Sequence, residues 1–78
     1  MIVMSIAGVD PSGGAGVLTD IKAFQAIGVY GCGIVTALTA QNPYKFFSTM
    51  PVPEEFIEEQ IDSVMDSYDV EFIKTGML

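Results

Sequence analysis

The chain is 78 residues long, half of it apolar (50%) and only 17% charged, with a mean hydropathy of +0.46. A disordered chain needs low hydrophobicity and high charge, so this one must bury a core. Three Lys, no Arg and ten acids give a net charge of −7, which opposes a phosphate backbone and a polybasic membrane contact alike. The absence of His removes the commonest general base and metal ligand, and the lone Cys32 excludes an intrachain disulfide or Cys-rich zinc site.

The opening run Ile2 to Ala7 is apolar and partly β-branched, and reads as a strand buried on both faces. It has no basic n-region and reaches Gly8 and Asp10 too early for a signal peptide. No apolar run approaches the ~20 residues of a membrane span, so a cytoplasmic protein is expected. Asp10-Pro11-Ser12-Gly13-Gly14-Ala15-Gly16 is dense in turn formers and forms a loop. From about Ala15, Val17, Leu18, Ile21, Phe24 and Ile27 recur at helical spacing, and Gly28 supplies a left-handed stop.

Gly31-Cys32-Gly33 leads into a second two-faced apolar strand, Ile34 to Ala40, which Gln41-Asn42-Pro43 ends. Phe46 to Met50 is a weaker strand. Pro51 and Pro53 frame a second helix, with Pro53 suited to its first turn, and Phe56, Ile57, Ile61, Val64, Met65 and Tyr68 line one side. Val70 to Thr75 is a short last strand. This alternation predicts an α/β fold with a mainly parallel sheet. Strands apolar on both faces need helices on both faces, and two helices do not cover three or four strands. A buried aliphatic side chain contributes roughly 1.5–3 kcal/mol, so several left wet would erase a small domain's stability. The expectation is a single segment, 1–78, forming the N-terminal part of a larger domain.

In an open parallel sheet, ligands bind beyond the carboxyl ends of the strands. Gly8–Gly16, Gln41-Asn42 and Gly76-Met77 are therefore expected to converge. The glycine loop is neither a Walker A sequence nor a G-x-G-x-x-G fingerprint, and a tight strand-to-helix crossover explains it more simply than an anion cradle. Asp20 falls between Ile27 and Phe24 on the helical wheel, inside the apolar arc, where a carboxylate must be paired. A bond to loop N–H groups and a ligand contact weigh equally there. Gln41 offers the paired donor and acceptor that suit a flat heterocycle's edge, although strand-end amides are more often ordinary polar residues. The acids Glu54, Glu55, Glu58, Glu59, Asp62 and Asp66 read as a solvated helix face rather than a metal site. Cys32 reads as a small residue packed where backbones approach closely.

Ala7-Gly8-Val9-Asp10-Pro11-Ser12-Gly13-Gly14-Ala15-Gly16, Asp20-Ile21-Lys22-Ala23-Phe24, Gly28-Val29-Tyr30-Gly31, Thr36-Ala37-Leu38-Thr39-Ala40-Gln41-Asn42 and Lys74-Thr75-Gly76-Met77-Leu78 together closely resemble the hydroxymethylpyrimidine/phosphomethylpyrimidine kinases of thiamine biosynthesis. The resemblance implies the N-terminal part of a ribokinase-like three-layer α/β/α fold. It implies Gly8, Asp20, Gln41 and Met77 as substrate contacts, with Ala15 and Thr39 lining the pocket. It implies 4-amino-5-hydroxymethyl-2-methylpyrimidine and its phosphate as substrates, with ATP and Mg²⁺ as cofactors of the full-length enzyme and a homo-oligomer as one of its forms. That family's anion hole and catalytic base lie downstream of the matched region, so no catalytic or metal-ligating residue is expected here, no cofactor for this chain alone, and no activity from it alone. The sequence departs from the family at Pro43-Tyr44-Lys45-Phe46-Phe47, where Thr or Ser and then Gly are usual, which bears on the flap over the substrate. A pyridoxal-type vitamer kinase, a non-catalytic pyrimidine-binding module and a truncated product without function are the rival readings.

Overall fold

The computed structural model describes residues 1–76. Six elements follow in the expected order: β1 (Ile2–Val9), α1 (Gly16–Ala26), β2 (Tyr30–Asn42), β3 (Lys45–Pro51), α2 (Glu54–Ser67) and β4 (Phe72–Thr75). They build one four-stranded sheet in the order β3-β2-β1-β4. β1 is central and runs parallel to both β2 and β4, while β3 returns antiparallel along β2. The path steps to one side of β1 through α1 and then crosses to the other through α2, so the chain reverses its winding about β1. Among the described residues no helix is long and apolar enough to cross a membrane.

Three expectations need correction. Gly31, Cys32 and Gly33 do not precede the second strand but lie within it, because β2 starts at Tyr30 and pairs with β1 from Ile2↔Tyr30 onward. The glycines are there for packing. A Cβ at Gly31 would stand 2.6 Å from Phe24, and one at Gly33 would stand 2.7 Å from Val17, so only bare backbone lets α1 settle onto β2. Cys32 points to the opposite face and is buried, as the close approach suggested. Pro53 is also displaced: its extended backbone makes it the residue before α2, and the helix proper starts at Glu54. Tyr68 likewise lies just past the end of α2, where it stacks on Tyr30 with ring centroids 5.4 Å apart.

α1 covers the face of the sheet that carries Gly31, Gly33 and Ser5. Its helical geometry ends where Gly28 takes φ +77°, a conformation that costs glycine nothing. The other face carries Met4 and Ile34, both 0% exposed. α2 packs on β2 from that side, with Ile57 facing the same hollow as Ile6 and Thr36. The Gln60 side chain of α2 also pairs with the Val35 backbone, accepting from its N–H and donating to its C=O at 2.9 Å each. It thereby completes β2 at a position that β3 does not reach, since β3 pairing begins at Ala37↔Pro51. Burial is uneven. Every residue of β3 and of β4 is exposed, and among the described residues neither helix packs along either edge strand.

The departure at Pro43 has a local explanation. Pro43 and Tyr44 form a two-residue connection between Asn42 and Lys45, and Asn42 Oδ1 accepts from the backbone N–H groups of Tyr44 (2.9 Å) and Lys45 (3.0 Å). Among the described residues no non-glycine has positive φ, so the turn uses the proline's own φ and needs no glycine.

Candidate functional site

The carboxyl ends of the parallel strands surround an open cavity of about 970 Å³. β1 contributes Gly8 and Val9 where its register with β2 shifts, and the start of α1 contributes Ala15, Gly16 and Asp20. Thr39 and Gln41 project from β2, and Lys74 and Gly76 close the β4 side. Five of the six candidate residues, Gly8, Ala15, Asp20, Thr39 and Gln41, therefore line one hollow. The sixth, Met77, lies outside the described residues. The convergence of the three strand-end segments holds for Gly8–Gly16, for Gln41 and for Gly76.

The crossover loop is organised by Asp10. Its carboxylate accepts from Ser12 Oγ (2.7 Å), Ser12 N–H (2.9 Å) and Gly14 N–H (3.2 Å). The Ser12 hydroxyl and amide, with the loop N–H groups beyond, hold this carboxyl below the usual aspartate range. Two of the loop's amides, those of Ser12 and Gly14, are thus engaged by an anion of the chain itself. Gly16 adopts φ +73° and pairs with Val9, and a Cβ there would run into the Gly8 carbonyl oxygen. The sharp entry to α1 rests on that glycine.

Asp20 is 8% exposed, in the apolar arc where the wheel placed it. It does not reach the loop N–H groups. Oδ2 accepts from Ser5 Oγ at 2.6 Å, and Oδ1 accepts from Lys74 Nζ at 2.5 Å. Burial pushes this carboxyl up, but the Lys74 hydrogen bond, the Ser5 hydrogen bond and the Lys74 charge together outweigh it and hold the group below its ordinary value. Asp20 is therefore an ionised, acceptor-only group at the cavity wall. Ser5 and Lys74 escape a reading along the chain because each is distant in sequence from Asp20. Only the pairing Ser5↔Lys74 across β1 and β4 brings both beneath α1.

Gln41 Nε2 donates to Thr39 Oγ1 at 2.8 Å, and Thr39 Oγ1 donates to the Val9 carbonyl at 2.7 Å. These two side chains join the end of β1 to the end of β2. The hairpin adds Phe46, Thr49 and Pro51 to the wall, and α2 adds Ile57. The acids of α2 are exposed and, among the described residues, no three potential metal ligands come together. Burial pushes the Cys32 thiol up and leaves it a packing residue.

The phosphomethylpyrimidine kinase family matches residues 10–78 of the chain. The hydroxymethylpyrimidine/phosphomethylpyrimidine kinase of Aquifex aeolicus is 41% identical over 78 residues, which cover 100% of this chain and 31% of that protein. The crystal structure of phosphomethylpyrimidine kinase from Clostridium difficile 630 superposes with a TM-score of 0.95 at 40% identity, covering 100% of this chain and 36% of the other. Pyridoxal kinase of Bacillus subtilis, solved as an ADP complex, superposes with a TM-score of 0.88 at 37% identity, covering 99% and 30%. The chain thus spans about a third of the length of the relatives it matches, and its mostly parallel α/β sheet is that of the ribokinase-like kinases.

Proposed function

Since the chain belongs to the phosphomethylpyrimidine kinase family, we propose that it forms the substrate-side wall of an enzyme that phosphorylates hydroxymethylpyrimidine, and then its monophosphate, from ATP in thiamine biosynthesis. The observation that carries this reading is the meeting of Gly8, Ala15, Asp20, Thr39 and Gln41 around one hollow at the strand ends. Asp20, held ionised, accepts a hydrogen bond from the aminopyrimidine or hydroxymethyl group. Gln41 reads the ring edge, and the bare backbone at Gly8 lets a flat ring lie close. These residues bind and orient. None of them supplies the proton transfer or the charge stabilisation that phosphoryl transfer needs.

Among the described residues no three potential metal ligands come together, Lys74 Nζ is held by Asp20, and the Ser12 and Gly14 amides of the glycine loop already donate to Asp10, so this reading gives them no part in holding a magnesium-bound triphosphate. ATP and Mg²⁺ are accordingly assigned to other polypeptide of the whole enzyme, and residues 1–78 by themselves are proposed to be inactive.

The test is ATP-dependent phosphorylation of hydroxymethylpyrimidine by the full-length protein. Gln41→Ala should raise KM about tenfold through a lost ring-edge hydrogen bond, with little change in kcat. Turnover by the 78-residue chain alone would contradict the assignment of the catalytic parts, and saturable pyrimidine binding without turnover by the full-length protein would support a binding module instead. The likeness to pyridoxal kinase favours one second reading, a pyridoxal-type vitamer as substrate. Competition between the two compounds separates them.

A further inference from the structure

We propose that Thr39 is the positioning residue that fixes which way round the Gln41 amide meets its ligand. The inference rests on the reading that Gln41 faces a heterocycle, and it names the edge that heterocycle must present.

The order of donors and acceptors follows from one carbonyl. The Val9 C=O can only accept, so the Thr39 hydroxyl at 2.7 Å must spend its single proton on it. Thr39 Oγ1 then has lone pairs alone to offer. Whichever end of the Gln41 amide stands 2.8 Å away must be a donor, so it is Nε2. A flipped amide would set two acceptors against each other at that distance and lose the bond. Thr39 is itself held: its β-branched side chain has little χ1 freedom, and it sits half-buried between β1 and Thr49 of β3.

With that end fixed, Gln41 offers the cavity one remaining N–H on the Thr39 side and its carbonyl oxygen away from it. Among the described residues no protein donor reaches Gln41 Oε1 within hydrogen-bond distance. The complementary ligand edge is an acceptor followed by a donor, which is a ring nitrogen beside an exocyclic amine. An amide side chain meets the same edge when it pairs with adenine. A lactam edge, a carbonyl beside a ring N–H, presents the groups in the wrong order. Asp20 lines the same cavity with its carboxylate held by Ser5 and Lys74.

Calorimetric titration of the full-length protein with 4-amino-5-hydroxymethyl-2-methylpyrimidine and with its 4-oxo counterpart reads this ordering directly. The amino compound should bind about tenfold tighter or more, since the oxo edge loses a hydrogen bond and opposes like groups. Thr39→Val, which keeps the shape but frees the amide to turn over, should narrow that preference severalfold, and Thr39→Ser should keep it. An unchanged preference in Thr39→Val overturns the proposal, as does a wild-type protein that binds both compounds equally. A second readout needs no ligand: the Gln41 side-chain amide protons should show nuclear Overhauser contacts to Thr39 Hβ that vanish in Thr39→Val. Their absence from the wild type overturns the relay itself. If they are present and neither pyrimidine binds, it is the pyrimidine reading that falls, and the choice of edge falls with it.

Discussion

β1 and β4 are neighbours in the same sheet, yet Val3, Met4, Ser5 and Ala7 of β1 are buried while all four residues of β4 are exposed. The difference is one of cover. β1 and β2 have α1 pressed against them through Gly31 and Gly33, and β3 and β4 have no such partner on either face among the described residues. Stability is therefore concentrated in β1-α1-β2, where side chains leave water on both sides of the sheet. The site borrows from both regions. Gly8, Asp20 and Thr39 stand on the covered half, and the cation that holds Asp20 comes from Lys74 on the bare edge, itself 55% exposed.

Substitutions should separate the two regions, beginning with the crossover. Gly16→Ala forces a Cβ into the Gly8 carbonyl and a side chain into positive φ, at a combined cost of about 3 kcal/mol in urea unfolding. A loss below about 1 kcal/mol would show that the entry to α1 relaxes freely. Asp20→Ala leaves the Ser5 hydroxyl, 0% exposed, without its acceptor and should cost about 1–3 kcal/mol. Lys74→Met removes only the exposed partner and should cost under about 1 kcal/mol, so the ratio of the two measures how far the edge supports the core.

The same carboxylate gives a signed pH dependence. Its folded pKa lies below the ordinary aspartate value of 3.8, so its contribution is complete above that value and is lost as pH falls through the lower folded one. Lys74→Met should move the Asp20 carboxyl titration, followed by carbon NMR, upward in pH. A midpoint that does not move would mean that Ser5 alone sets the ionisation.

Gln60→Ala tests the one place where α2 stands in for a strand. Losing both bonds to Val35 should cost about 1–2 kcal/mol. The smallest effect is expected at the bare edge: Phe47→Ser on β3 should change stability by no more than about 0.5 kcal/mol. A large loss there would mean that β3 is covered in the protein under assay.

Much of this was readable along the chain, and the rest was not for identifiable reasons. The alternation of elements, the stop at Gly28, the buried position of Asp20 and the meeting of strand ends all follow from periodicity and turn chemistry, which are local. The placement of Gly31 and Gly33 inside β2 was not, because the reason for those glycines is the Phe24 and Val17 side chains of another element. Propensity disfavours glycine in a strand, and tertiary packing overrode it. The partners of Asp20 were likewise invisible. Ser5 and Lys74 carry no motif of their own, and their roles exist only in the register that sets them side by side. Asp10 held a legible turn position, but only the folded loop shows that it, and not Asp20, takes the amides.

The proposed function places a pyrimidine in the hollow at the strand ends. Chemical-shift mapping of the ¹⁵N-labelled full-length protein with hydroxymethylpyrimidine and no nucleotide tests it most directly. Saturable shifts are expected to cluster at Gly8, Asp20, Thr39, Gln41 and Gly76. Shifts that stay linear to high ligand, or that saturate only at residues far from this rim, would contradict it.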